Sequence, residues 1–160
     1  MLAYHFTGER LHNGQPIPGI GEWLVHDGPI VPCESGLHAS EHPYDALGYA
    51  PGPMLHLVEL EGDLVEHNGD KWVGRQRRIL ASIDATGLLG EFARWCAWQV
   101  IDLWEAPPVV RTYLTTGDPV VRAAAGEAAW AATRAPSPEW AAAGAAWAAA
   151  GEAVWAAAGA

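Results

Sequence analysis

Apolar and polar residues alternate in short runs along the first half of the chain, and the period changes in the second half. Leu2 to Phe6 reads as a first strand. The stretch from His12 to Gly21 carries Gly14, Pro16, Pro18, Gly19 and Gly21 and reads as a loop. Glu22 to His26 and Ile30 to Cys33 follow as two short strands around Asp27-Gly28-Pro29, close enough in sequence to be expected to pair. Met54 to Glu61 is the clearest strand, with Leu55 and Leu57 on one face and Val58 and Leu60 on the other. Lys71 to Ile83 alternates around Val73, Ile79, Ala81 and Ile83 as one further strand. Between them, Glu61-Gly62-Asp63 and Asn68-Gly69-Asp70 are turn signals, Asn-Gly being a strong hairpin mark. From Ser40 to Tyr49 the alternation stops. Ser40 is expected to cap a short helix with Pro43 in its first turn, ended by Pro51-Gly52-Pro53.

Beyond residue 83 the period is helical. Leu88, Phe92, Trp95, Cys96, Gln99 and Leu103 recur at steps of three and four, an amphipathic helix ending near Pro107-Pro108. Asp118-Pro119 and Ser137-Pro138 each place a capping residue before a proline at the first helical position, so a helix is expected to start at each. The expected fold is α+β. A small antiparallel β-rich head with one short helix, residues 1–83, precedes an amphipathic helix and connector over 84–116. A helical repeat tail covers 117–160.

The tail repeats itself: Ala123 to Trp130 reads AAAGEAAW and Ala148 to Trp155 reads AAAGEAVW. On a helix of about 100° per residue, Trp140, Gly144, Trp147, Gly151 and Trp155 fall on one stripe. A glycine in a helix costs about 1 kcal/mol relative to alanine but leaves a notch where a backbone or a flat ring approaches closely. That pattern, with Trp130 of the first copy, predicts packing against another helix of the same chain or of a partner.

Composition narrows the classes. The formal charge is −10, with 19 acids against 9 Lys and Arg, which argues against general nucleic-acid binding. Alanine inflates the 50% hydrophobic content, and Glu152 interrupts the apolar tail, so no membrane-spanning helix is expected. Cys33 and Cys96 make no disulfide framework, and the N-terminus lacks the basic and apolar regions of a secretory signal. A reducing, cytoplasmic setting is the expectation.

Candidate chemistry lies in the head. Cys33, His38 and His42 fall within ten residues and form at most a weak zinc half-site, its spacing non-standard and its fourth ligand lacking unless the fold brings His5, His56 or His67 to it. The plainer expectation has Cys33 packed, Gly36 in a turn and His38 bonded to backbone. A Cys33–His38 nucleophile and base is disfavoured because the chain neighbours Glu34 and Glu41 oppose a thiolate. Lys71, Arg75, Arg77 and Arg78 form a basic strip on a strand, with Arg75 and Arg77 on one face. Pairing with Glu59, Glu61 and Glu66 is the ordinary role of such residues; an anionic ligand is the functional one.

Two resemblances add to this reading. Tyr4-His5-Phe6, Cys33-x-x-Gly36-Leu37-His38-Ala39, Pro43-x-Asp45, Tyr49, Val58 to Gly62 and the basic strand from Lys71 resemble a family of small phage and bacterial proteins marked by a C-x-x-G-[FL]-H-A-C segment. Here Ser40 stands in place of the second cysteine. That family has no established function, and the likeness implies a phage or mobile-element origin, cytoplasmic in a bacterial host or virion-associated. The order of elements also resembles, more faintly, the ADP-ribosyltransferase fold, which would place His5, His38 and Tyr49 in an NAD pocket and the basic strip near its phosphates. No acid after residue 70 occupies the place of that fold's catalytic glutamate. The leading expectation is thus a non-enzymatic binding or assembly protein without a cofactor, self-associating or binding a protein partner through its C-terminal helices. The alternatives are an NAD- or nucleotide-binding transferase and a zinc-stabilised module.

Overall fold

The computed structural model describes residues 1–132, which form two compact units, Met1–Thr86 and the segment from Gly87 onward. The fold is mixed α+β, with an antiparallel β-rich N-terminal region, one short helix within it, and helices thereafter.

In the first unit the strands are β1 (Leu2–Thr7), β2 (Trp23–Val25), β3 (Leu37–Ala39), β4 (Met54–Glu61), β5 (Val65–His67), β6 (Lys71–Gly74) and β7 (Gln76–Asp84), with α1 (Pro43–Leu47) between β3 and β4. They make a four-stranded sheet in the order β1-β4-β7-β2 and a three-stranded sheet in the order β3-β6-β5, with every named pairing antiparallel. A backbone pair between Tyr4 and Ser40, with N–H···O distances of 2.7 and 2.9 Å, ties the edge of the first sheet to the end of β3.

The alternation seen in the sequence sets which side chains face inward. Ala3, Val58, Leu60 and Ile79 from the larger sheet meet Ala39 from the smaller one as the buried core, with Met1, Ile17, Leu37 and Trp72 packed around it. The register between β4 and β7 slips after Leu57, so that Val58 faces Ile79 while His56 faces Ser82. Because directly opposed residues share a face, this bulge returns Ser82 to the inner face alongside Ile79.

Several expected local features differ. The 22–33 segment does not form a hairpin: β2 pairs with β7, and of Ile30 to Cys33 only Val31 makes a β-bridge, to Ser35. A three-residue strand gains more from the long β7 ladder and from Trp23 stacking on the Arg78 guanidinium than from a partner broken by Pro29 and Pro32. The expected strand from Lys71 to Ile83 is two strands. The chain leaves one sheet for the other at Gly74-Arg75, where a Cβ on Gly74 would lie 2.9 Å from Leu60 and Leu64. Ser40 does not cap α1; its backbone is used by Tyr4, and His42 holds the N-cap position without a side-chain bond. The Asn68-Gly69 turn, both residues in the left-handed region, does join β5 to β6.

In the second unit, α2 (Thr86–Gln99) is followed by a 3-10 turn (Ile101–Leu103), α3 (Pro108–Thr116) and α4 (Pro119–Ala132). Asp118 Oδ1 accepts from the Val120 N–H at 2.9 Å, as its position before Pro119 predicts. The helix expected to end near Pro107-Pro108 stops at Gln99, with Leu103 in the 3-10 turn, and Pro107-Pro108 instead begins α3, Pro108 lying in the first turn and Gly117 in the left-handed cap. Ile101, Trp104, Val110 and Ala125 form the buried core of this hairpin. Among the described residues no helix is long and apolar enough to cross a membrane. The helix start expected at Ser137-Pro138 and the stripe of Trp140, Gly144, Trp147, Gly151 and Trp155 lie outside the described residues.

Candidate functional site

A cleft of about 700 Å³ opens in the β-rich unit, and His5, His38 and Tyr49 all line it, together with Lys71 and Arg77. The three candidate residues lie on β1, on β3 and just after α1, so their convergence is a product of the sheet arrangement.

The charge of this cleft runs against that of the chain. Among the described residues its lining includes Arg10, Lys71 and Arg77, and a single carboxylate, Glu34. Of the 9 Lys and Arg in the chain a third face this cavity, whereas among the described residues only one acid does. Lys71 and Arg77 are also the only charged side chains among the buried residues described, at 7% and 6% exposure. Neither has a carboxylate within ion-pairing distance among the described residues, whereas Arg75 pairs with Asp63 at 2.7 Å and Arg78 with Glu59. A buried cation without a counter-ion is costly, and burial lowers the Arg77 guanidinium to about 10.

The basic strip is therefore divided. Arg75 sits at the break between β6 and β7, holding Asp63 and the carbonyls of His26 and Gly28. Arg78 faces Glu59, at 2.7 Å from its Nε, and the Trp23 ring. Of the expected pairings with Glu59, Glu61 and Glu66, only that of Arg78 with Glu59 forms an ion pair among the described residues. Arg77 turns inward and donates from one nitrogen to the His38 carbonyl, bridging the two sheets. Lys71 Nζ donates to Cys33 Sγ at 3.1 Å and stands 4.1 Å above the Tyr49 ring. The spatial neighbour of the Cys33 thiol is thus an ammonium, which the chain neighbours Glu34 and Glu41 did not indicate.

His38 closes the loop that forms one wall. Its Nε2 accepts the Cys33 N–H at 3.2 Å, which holds Cys33 in a left-handed conformation. Burial, then Lys71 and Arg77, lower its pKa, against the opposing effect of a hydrogen bond with the Gly36 backbone. Gly36, at φ +110°, has no room for a side chain: a Cβ would lie 2.5 Å from Val73 Cγ1. His38 is accordingly engaged with backbone, as the plainer expectation had it, whereas His5 has no side-chain hydrogen bond to a described residue. Burial first, then the charges of Arg77, His56 and His38, hold His5 well below an ordinary imidazole, so it is neutral at pH 7. Tyr49 donates its hydroxyl to Asp70 at 2.7 Å, and that bond raises its pKa.

Behind the lining runs a chain of polar groups. Thr7 Oγ1 is 2.8 Å from His56 Nε2, and His56 Nδ1 is 2.7 Å from Ser82 Oγ. Thr7 lines the cleft and His56, directly opposite His5 in the β1–β4 register, is 1% exposed. Sequence reading gave His56 no role beyond a distant ligand for zinc. The signal was a histidine in phase with Val58 and Leu60 on the inner face of the best strand. Among the described residues no three His, Cys, Asp or Glu side chains gather closely enough to hold a metal ion, and His42 stands apart at the start of α1.

No curated protein and no solved structure matches the chain. A family model described as a domain of unknown function (DUF7666) matches residues 1–91, which takes in all seven strands and the cleft. Since that match covers more than half of the 160 residues, the chain belongs to the DUF7666 family.

Proposed function

We propose that the β-rich head binds a small phosphorylated ligand of the nucleotide class in the cleft between β1, β3 and β7. The observation that carries this reading is Arg77, a buried guanidinium facing the cleft without a carboxylate partner among the described residues. An arginine presents five N–H donors, and one bond to the His38 carbonyl leaves a fork directed at planar anionic groups. The free, neutral ring of His5 adds a hydrogen-bonding group that carries no charge of its own.

The resemblance to the ADP-ribosyltransferase fold makes NAD the first probe. His5 and Tyr49 would contact it, with Arg77 near its phosphates. Glycosyl transfer needs a carboxylate at the reacting sugar to stabilise developing positive charge, and among the described residues no acid after residue 70, where that fold carries its catalytic glutamate, lines the cleft. The reading is therefore of binding, without a cofactor-dependent reaction. The Cys33 to Ala39 motif supports kinship with small phage and bacterial proteins and hence a mobile-element origin.

A ligand that binds only the folded state stabilises it in proportion to the logarithm of its concentration. Millimolar NAD is expected to raise the melting temperature of the full chain, and Arg77→Met to abolish that rise. The Arg77→Met protein without ligand is expected to melt no lower, because it no longer buries an unpaired charge. An unchanged melting temperature of the wild type in NAD would sink the proposal.

A second reading concerns the helical part. Trp95, Trp98, Leu103, Val120 and Trp130 all expose 40% or more of their surface, which supports association of this part with a protein partner or a second copy.

A further inference from the structure

We infer that the cleft has two separate anion seats, one on each sheet, and that its ligand carries two separated anionic groups, as a nucleotide bisphosphate does. This rests on the reading of the cleft as a phosphate-binding site and extends it to a feature that Arg77 alone does not require.

The second seat is Lys71. It belongs to β6 in the three-stranded sheet, whereas Arg77 belongs to β7 in the four-stranded one. Both are more than nine-tenths buried, both line the cleft, and neither has a carboxylate partner among the described residues. An ammonium has three donors. One of those on Lys71 reaches Cys33 Sγ, a weak acceptor, and the Tyr49 ring covers another side of the charge. Thiol and ring together fix where the ammonium sits without neutralising it.

The two cations are bonded to opposite ends of the Cys33 to His38 loop. Arg77 donates to the His38 carbonyl, Lys71 donates to Cys33, and the Cys33 N–H donates to the His38 ring, so the histidine stands between them. A single phosphate satisfies one seat and leaves the other cation buried and unpaired. A ligand with an anionic group for each compensates both.

The test is calorimetric titration of the full chain with AMP and with adenosine 3′,5′-bisphosphate at fixed ionic strength. Each charge-assisted contact is worth enough to change affinity by about ten-fold or more. The bisphosphate is expected to bind at least about ten-fold more tightly than AMP. Lys71→Met is expected to bring that ratio close to one, and Lys71→Arg, which keeps a cation at the seat, to preserve it. Should Lys71→Met fail to fold by its melting curve, Lys71→Gln with the same ratio serves in its place. Equal affinity for the two nucleotides, or a ratio that survives loss of the Lys71 charge, overturns the second seat while leaving the anion cleft standing. If neither nucleotide binds at millimolar concentration, the cleft reading and the second seat fall together.

Discussion

His56 shows what the head gives up to keep polar groups on its inner face. Burial, and secondarily Arg77, push its imidazole down to about 4, against about 6.5 in an unfolded chain. Between those values the unfolded chain holds a proton that the folded one does not, so stability rises with pH through this window. The contribution is fully present above about 6.5 and is lost progressively as pH falls towards 4, a difference on the order of 3 kcal/mol. His5 and His38 are lowered as well and act with the same sign. The urea midpoint is therefore expected to fall steeply from pH 7 to pH 4.5, and His56→Gln is expected to flatten that fall. A wild-type midpoint constant across this range would show that no buried imidazole sets the acid limit. At this scale the sequence was partly legible. His5, His38 and Tyr49 were marked as candidates by residue type and order, and Lys71 and Arg77 by clustering. Which of the four basic residues faced the cleft was hidden, because it depends on where β6 ends and on which carboxylates lie within reach in space.

The elements of the head are positioned by a few backbone requirements, of which the Cys33 to Ala39 segment is the most demanding. Gly36 allows the turn at φ +110°, and the space its missing side chain leaves is taken by Val73 of β6. Gly36→Ala combines backbone strain with a contact of 2.5 Å to Val73 and is expected to cost about 2–3 kcal/mol. It should also pull His38 away from Cys33 and Arg77 and so impair ligand binding beyond the loss of stability. A chemical-denaturation midpoint within error of wild type would contradict this account. Local signals served well where an element is decided locally: β4 matches its expected bounds, the Asn68-Gly69 hairpin forms, and Asp118 caps α4. They failed where partners distant in sequence decide. β2 was matched with its chain neighbour when its ladder is on β7, and the continuous alternation from Lys71 to Ile83 concealed a change of sheet at Gly74. The pair Pro107-Pro108 was taken only as an end, although proline suits the first turn of a helix as well as the residue after one.

For the whole molecule, the contrast lies between a head that gathers polar groups around a cleft and a C-terminal part rich in alanine and tryptophan. Alanine buries little surface, so a helix built of it gains little from an intramolecular core. The α3–α4 core accordingly depends on Ile101, Trp104 and Val110, with alanines filling the space around them. The apolar side chains left exposed on α2 and α4, followed by five tail residues at helical spacing whose placement lies outside the described structure, point to association as the role of this part. The expectation is a full chain that sediments as a concentration-dependent oligomer and a form truncated after Ala132 that sediments as a monomer. Ligand binding separates the two roles: the truncated form keeps every described residue of the cleft, so it is expected to retain the nucleotide affinity of the full chain within about two-fold. If both forms sediment alike and no partner is recovered on either, the tail does not serve assembly. If truncation instead removes nucleotide binding, the cleft depends on residues after Ala132, and the head is not the independent binding unit that its own core and sheets make it.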